Sequence, residues 1–186
     1  MNEVPEQEQF RQKVQQQINC PITYDTMEEP VIDKEGFSYG PNDNFSLKEG
    51  HVIPSLIHQC FLTKKENKNF IVKGTGNPLR QFIYSTNVAK LILWTLKNYK
   101  EKESIILSVS KKNEISIKNV VIEIAKNFNY ENFIKFDSSH SDGQYKKTAD
   151  NSKLQSYLPS FKFTPIQIGI ENSVKWFIEN YPNLRK

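Results

Sequence analysis

The 186-residue chain has no run of eighteen apolar residues, so no stretch is long enough to cross a membrane as a helix. Its opening, MNEVPEQEQFRQKVQQQ, lacks the apolar centre of a secretory signal. Cysteine is scarce. With only Cys20 and Cys60, far apart, a disulfide framework is not expected, and a reducing, cytoplasmic setting fits. Of the three histidines, His58 and His140 have no ligand partners at metal-site spacing, so no metal is assigned. No internal repeat is present. The loop GTGNPLR at 74–80 lacks the Lys-Ser/Thr of a phosphate loop and a third glycine. It is expected between two strands rather than before a helix, so it reads as a turn and not a dinucleotide cradle.

What is present is enough for one ordinary domain or two small ones. Hydrophobic residues make up 37% and the mean hydropathy is −0.61, so the chain can bury a core and remain soluble. Net charge is +4, unevenly placed. Residues 1–38 hold three basic and eight acidic side chains, net −5; the remainder holds 22 and 13, net +9. Such asymmetry suggests two segments of different origin. The basic remainder suits either an anionic ligand such as a nucleotide diphosphate, or nucleic acid, or a solvated lysine-rich surface.

Residues 1–18 are Gln/Glu-rich and read as a polar tail or one exposed helix. The stretch NCPITYDTMEEPVIDKEGFSYG reads as loops and a short hairpin. After the turn cluster GPNDNFS, one helical face gathers Val52, Ile53, Leu56, Ile57, Cys60 and Phe61, with Pro54 suited to a first turn. A strand over 69–72, the 74–78 turn and an extended stretch over 80–84 follow. Ser85 or Thr86 can cap a helix whose inward stripe is Val88, Leu91, Ile92, Thr95 and Leu96. Residues 104–109, SIILSV, form a buried-type strand. Ser116 caps a helix with Ile117, Val120, Val121, Ile124 and Phe128 inward. Residues 132–136 are a strand and 137–150 a polar loop. Thr164 caps the last helix, with Pro165 in its first position and Ile170, Val174, Phe177, Ile178 and Tyr181 on one face. Strands alternating with helices argue an α/β (α+β-like) domain.

Three places could carry chemistry. His51 stands where a helix begins and titrates in the range where a proton can be given or taken; it is either functional or a helix cap. Arg80 can grip a diphosphate with two donors, or be a surface arginine. The loop SDGQYKK gathers Asp142, Gln144, Lys146 and Lys147; it could hold phosphate and ribose hydroxyls, or be a flexible surface loop.

Taken together, YGPNDNF, HVIP, GTGNPLRQFIYS, IILSV, FDSSHSDGQYKKTADNSKL, the FTP helix start and the final WF-x-x-NY resemble, in order, the carboxy-terminal part of GDP-L-fucose synthases. The match runs from Tyr39 to Lys186. That family belongs to the extended short-chain dehydrogenase/reductases. It epimerises GDP-4-keto-6-deoxymannose at C3 and C5, then reduces C4 with NADPH to give GDP-L-fucose. The resemblance implies a substrate-binding domain over 40–186, with a GDP-sugar as partner and neither membrane nor nucleic acid. It implies that His51 is the proton donor, that Arg80 contacts the diphosphate region, and that Asp142 and Lys146 lie in the substrate loop. Gln59 stands at a substrate-binding place that is usually basic, and Lys73 at one often aromatic. The family's glycine-rich turn and catalytic Ser, Tyr and Lys precede the YG turn and have no counterpart here. The expectation is therefore a domain without its Rossmann half, which does not bind NADPH or turn over substrate alone.

Ahead of it, CPITYDTMEEPVIDKEGFSY resembles the opening of a U-box, a RING-like ubiquitin-ligase module. Residues 19–39 would be a partial, hairpin-like piece of one, and Ile22 would fall in the loop that meets an E2 enzyme. The resemblance suggests a gene fusion or a misjoined gene, and a truncated ubiquitin-ligase module as the alternative function.

Overall fold

The computed structural model describes residues 37–184. The polar tail, most of the U-box-like segment and Ile22 lie outside the described residues. The described elements are β1 (Ser38–Tyr39), α1 (Val52–Lys65), β2 (Phe70–Lys73), β3 (Leu79–Arg80), β4 (Ile83–Tyr84), α2 (Ser85–Asn98), β5 (Ile115–Ser116), α3 (Ile117–Asn127), β6 (Ile134–Asp137), α4 (Ser152–Tyr157) and α5 (Ile166–Asn180). The strands form three two-stranded sheets: β1 with β4 and β2 with β6 are parallel, and β3 with β5 is antiparallel. This is an α/β arrangement in which short sheets are held by helices.

The larger core lies where α1, α3 and α5 meet β2. Ile53, Ile57 and Cys60 from α1 join Val120, Val121 and Ile124 from α3, Ile170, Val174 and Phe177 from α5, and Phe70 from β2. Pro54 falls in the first turn of α1, where its missing N–H has no intrahelical partner to lose. Ser116 caps α3 as expected, its hydroxyl accepting from the Asn119 amide at 3.2 Å. Burial pushes the Cys60 thiol up to about 12, so it packs as a small apolar group rather than a nucleophile.

Two of the sequence motifs turn out to be packing partners. Phe45 of YGPNDNF stacks on Trp176 at 5.7 Å and lies 5.1 Å from Phe177, both from WF-x-x-NY. Tyr39, fully buried, donates to the Ile166 carbonyl at 3.4 Å. Its ring lies so close to Gly169 that a Cβ there would collide with it. Burial raises the Tyr39 hydroxyl well above its ordinary value, so it stays protonated.

Five expectations need correction. Residues 104–109 do not form a strand, because the described residues offer no strand to pair with them. Ile92 and Leu96 of α2 are exposed; the inward residues are Val88, Leu91 and Trp94, which pack with Ile83, Val109 and Leu154 in a second, smaller core. Neither Ser85 nor Thr86 caps α2; Tyr84 holds that position, and no side chain accepts there. Pro165 rather than Thr164 is the cap of α5, because the Pro165 carbonyl accepts the first helical hydrogen bond, from the Gly169 amide at 3.0 Å; the Thr164 amide donates to the buried Asn87 side chain at 2.9 Å. Ile178 faces solvent.

Candidate functional site

The 74–80 turn and the 141–148 loop are bound to each other by side chains. Gly74 and Gly76 adopt positive φ, +88° and +76°, which glycine reaches without strain. Gly76 also lies against Phe136, where a Cβ would not fit. Between the two glycines, Thr75 presents its amide and hydroxyl to Asp142, at 2.6 and 2.5 Å. The Thr75 hydroxyl and then its amide hold the Asp142 carboxyl below its ordinary value, so Asp142 is ionised at neutral pH. A carboxylate from the protein thus fills the hollow of the turn. Among the described residues no glycine-rich strand–turn–helix is left to hold a dinucleotide such as NADPH.

Arg80 lies at the end of β3 and its guanidinium braces both loops. Nη1 donates to the carbonyls of Leu79 at 2.7 Å and Tyr145 at 3.4 Å, and Nη2 donates to Gln144 at 2.8 Å. The Leu79 amide also donates to the Tyr145 carbonyl at 2.9 Å. All three acceptors of Arg80 are neutral, and no carboxylate among the described residues pairs with it. A guanidinium has five N–H groups. Nε–H and one Nη2–H therefore remain without an acceptor among the described residues, on a fixed cation.

Lys146 and Asp142 are already engaged. The Lys146 ammonium lies 2.9 Å from Glu114 Oε2, and the Thr148 hydroxyl donates to the same carboxylate. Partial burial works against ionisation of Glu114, but Thr148 and Lys146 outweigh it and hold the carboxyl below its usual range. Below this, the buried Gln81 donates to the Val109 carbonyl at 2.7 Å and accepts from the Ala149 amide at 2.6 Å. Thr75, Glu114 and Gln81 were missed by sequence reasoning. Thr75 alone gave a signal, as a hydroxyl residue between two glycines.

The other predicted site residues, His51, Gln59 and Lys73, share no side-chain hydrogen bond or ion pair with this cluster, although Lys73 directly precedes Gly74. His51 precedes α1, and its ring makes no capping hydrogen bond. Its Nδ1 stands 3.6 Å from Asp43 Oδ1, and the imidazole is half-exposed. Gln59 projects from α1 and donates to the Ile71 carbonyl at 2.7 Å. Lys73 ends β2, opposite Asp137 of β6. His58, by contrast, is structural: its Nδ1 is 2.8 Å from the Phe45 carbonyl and its ring packs on Phe177 and Tyr181. No group of three His, Cys, Asp or Glu among the described residues could hold a metal ion. A cleft of about 540 Å³, lined by Lys111, Lys112, Thr148, Asn151 and Gln155, contains none of the site residues above. It touches the cluster through Thr148.

Comparison with known proteins gives this geometry a context. Residues 37–110 match the model of the NAD dependent epimerase/dehydratase family. A GDP-L-fucose synthase from Dictyostelium discoideum is 51% identical over 148 residues, covering 80% of this chain and 46% of that protein. A probable GDP-L-fucose synthase from Drosophila melanogaster is 46% identical over 155 residues, covering 80% and 48%. A crystal structure of a GDP-L-fucose synthetase from Naegleria fowleri, also solved bound to NADP, superposes with a TM-score of 0.78 at 44% identity, covering 80% of this chain and 45% of that one. The chain is therefore strongly homologous to GDP-L-fucose synthases, and it spans about half the length of the curated relatives it matches.

Proposed function

We propose that residues 40–186 form the part of a GDP-L-fucose synthase-like enzyme that holds the GDP-sugar, with Arg80 on the diphosphate. The observation that carries this is the state of Arg80: a cation without a carboxylate partner, clamped by three neutral carbonyls, with two N–H groups left over. Clamping removes the rotamer entropy that a free arginine loses on binding, and a charged donor to a phosphate oxygen is a strong hydrogen bond. Homology to synthases supports the choice of ligand.

Asp142 and Lys146 shape the loop through Thr75 and Glu114, so the charge offered to the ligand is chiefly that of Arg80. Gln59 and Lys73 supply an amide and an ammonium to the sugar side. His51, half-exposed and facing Asp43, is the proton donor to the sugar carbon. Hydride transfer is not assigned to any described residue, since none forms a dinucleotide site. The chain alone then binds without reducing.

Calorimetric titration of the monodisperse chain with GDP tests this. A hydrogen bond to a charged group contributes about 1.5–3 kcal/mol, so Arg80→Ala should weaken GDP by about tenfold or more. His51→Ala should leave GDP affinity unchanged, because a proton donor to the sugar does not touch the diphosphate. Folded, monodisperse protein that fails to bind GDP at millimolar ligand would refute the proposal, as would Arg80→Ala binding like the wild type.

A further inference from the structure

Tyr145 lies in the loop that closes on Arg80, and its backbone is held in place there. Its carbonyl accepts from the Leu79 amide at 2.9 Å and from Arg80 Nη1 at 3.4 Å, and the neighbouring Gln144 carbonyl accepts from Nη2 at 2.8 Å. Its side chain is left over. The residue is 62% exposed, and among the described residues its ring meets no other ring and its hydroxyl has no hydrogen-bond partner. Two other aromatic side chains among the described residues are exposed, and both lean on a ring. Phe133 stacks on Tyr130 at 4.4 Å, and Tyr157 packs against Trp94 and Tyr99 at 5.7 and 5.6 Å. The same loop has room beside it: a Cβ added to Gly143, two residues before Tyr145, would meet no atom within 4 Å. A single exposed apolar side chain is ordinary at a surface. Tyr145 differs by its place, on a backbone bonded directly to a fixed cation.

We propose that the Tyr145 ring is the platform on which the base of the nucleotide stacks while Arg80 holds its diphosphate. This deepens the GDP-site reading and rests on it. A nucleoside diphosphate has a charged end and a flat, largely apolar end, joined by one ribose. Arg80 and Tyr145 offer the matching pair: a cation with N–H groups to spare and an uncovered ring. The hydrogen bond from the guanidinium to the Tyr145 carbonyl keeps the cation and the ring's backbone at a constant spacing. A tyrosine side chain has only two torsions to fix, so covering it costs little conformational freedom. Stacking of a base on an aromatic ring is favourable whatever the base, because every base has a flat face. Tyr145 therefore supplies affinity for nucleotides, and the choice of guanine is made by groups that reach the edge of the base.

The test titrates the monodisperse, full 186-residue chain with GDP and with inorganic pyrophosphate. Tyr145→Ala should weaken GDP about tenfold and leave pyrophosphate unchanged, because only the base touches the ring. Tyr145→Phe, which keeps the ring, should bind GDP as the wild type does. Arg80→Ala should weaken both ligands, and this separates the two readings. Equal GDP affinity in Tyr145→Ala and the wild type overturns the stacking role and leaves the Arg80 site standing, whereas a wild type that binds no GDP refutes both. A parallel loss of GDP and pyrophosphate in Tyr145→Ala also overturns the stacking role, since the substitution would then have disturbed the clamp. NMR of the chain with ring-labelled tyrosine gives a second reading. The Tyr145 ring signals, assigned by their loss in Tyr145→Phe, should shift with GDP and stay in place with pyrophosphate. Ring signals that GDP does not move overturn the proposal.

Discussion

The loop pair around Arg80 and the pair formed by α2 and residues 104–109 lie in one chain and differ in how far their groups are satisfied within it. Around Arg80, Asp142 has Thr75, Lys146 has Glu114, and the Arg80 guanidinium has three carbonyls. On α2, Ile92, Leu93 and Leu96 are exposed, and among the described residues no amide of residues 104–109 donates a hydrogen bond. The first region is rigid before any ligand arrives, so binding need not order it. Polar groups enforce completion locally because a buried unpaired one is costly, whereas an exposed leucine is tolerated until something covers it.

That contrast can be broken by substitution. The largest effect should come from the completed core: Phe177→Ala removes a fully buried ring that touches Phe45, His58, Phe61 and Tyr181. A loss of about 3–5 kcal/mol is expected in urea unfolding. A loss below 1 kcal/mol would mean that this core does not govern stability. Gly169→Ala comes next, since its methyl would strike the buried Tyr39 hydroxyl; overpacking of this kind costs about 1–3 kcal/mol. The companion Gly169→Ala/Tyr39→Phe variant should recover part of that loss, and no recovery would remove the collision as its cause.

Two smaller effects sharpen the comparison. Asp142 should titrate below 3.8, and in Thr75→Val its carboxyl should move up toward 3.8 in an NMR titration. A depressed carboxyl contributes stability above its unfolded value, and that contribution is lost as pH falls through the folded value. The difference between wild type and Thr75→Val should accordingly be present at neutral pH and shrink below about pH 3.8. Smallest of all, Leu93→Lys should change the stability of the isolated chain by no more than about 0.5 kcal/mol, the usual range for an exposed position. A much larger loss would show that the outer stripe is already covered.

Much of this was legible in the sequence. The inward positions of α1, α3 and α5 follow from apolar spacing, Ile178 excepted, and Ser116 was legible as a cap because Ser favours that place. The motif strings carried the resemblance to synthases, which homology supports. They did not reveal their own roles: YGPNDNF and WF-x-x-NY are largely a pair of packing surfaces, joined through Phe45 and Trp176 across the fold. Nor did spacing reveal that Ile92 and Leu96 face outward, since a helix with two apolar stripes gives no sign of which one its own domain covers. SIILSV read as a strand because its side chains suit one, and propensity cannot say whether a partner strand is at hand.

The sequence by itself determined the local matters: which stretches are helical, which faces are apolar, that Ser116 caps its helix, and that residues 74–78 turn. These depend on interactions within a few residues, which neighbouring letters encode. Tertiary structure alone decided that Asp142 fills the turn at Thr75, 67 positions away, and that Tyr145, 65 positions beyond Arg80, helps to clamp it. It also decided that Glu114 neutralises Lys146. Such contacts depend on the distances at which packed elements place their loops, and no periodicity along the chain records them.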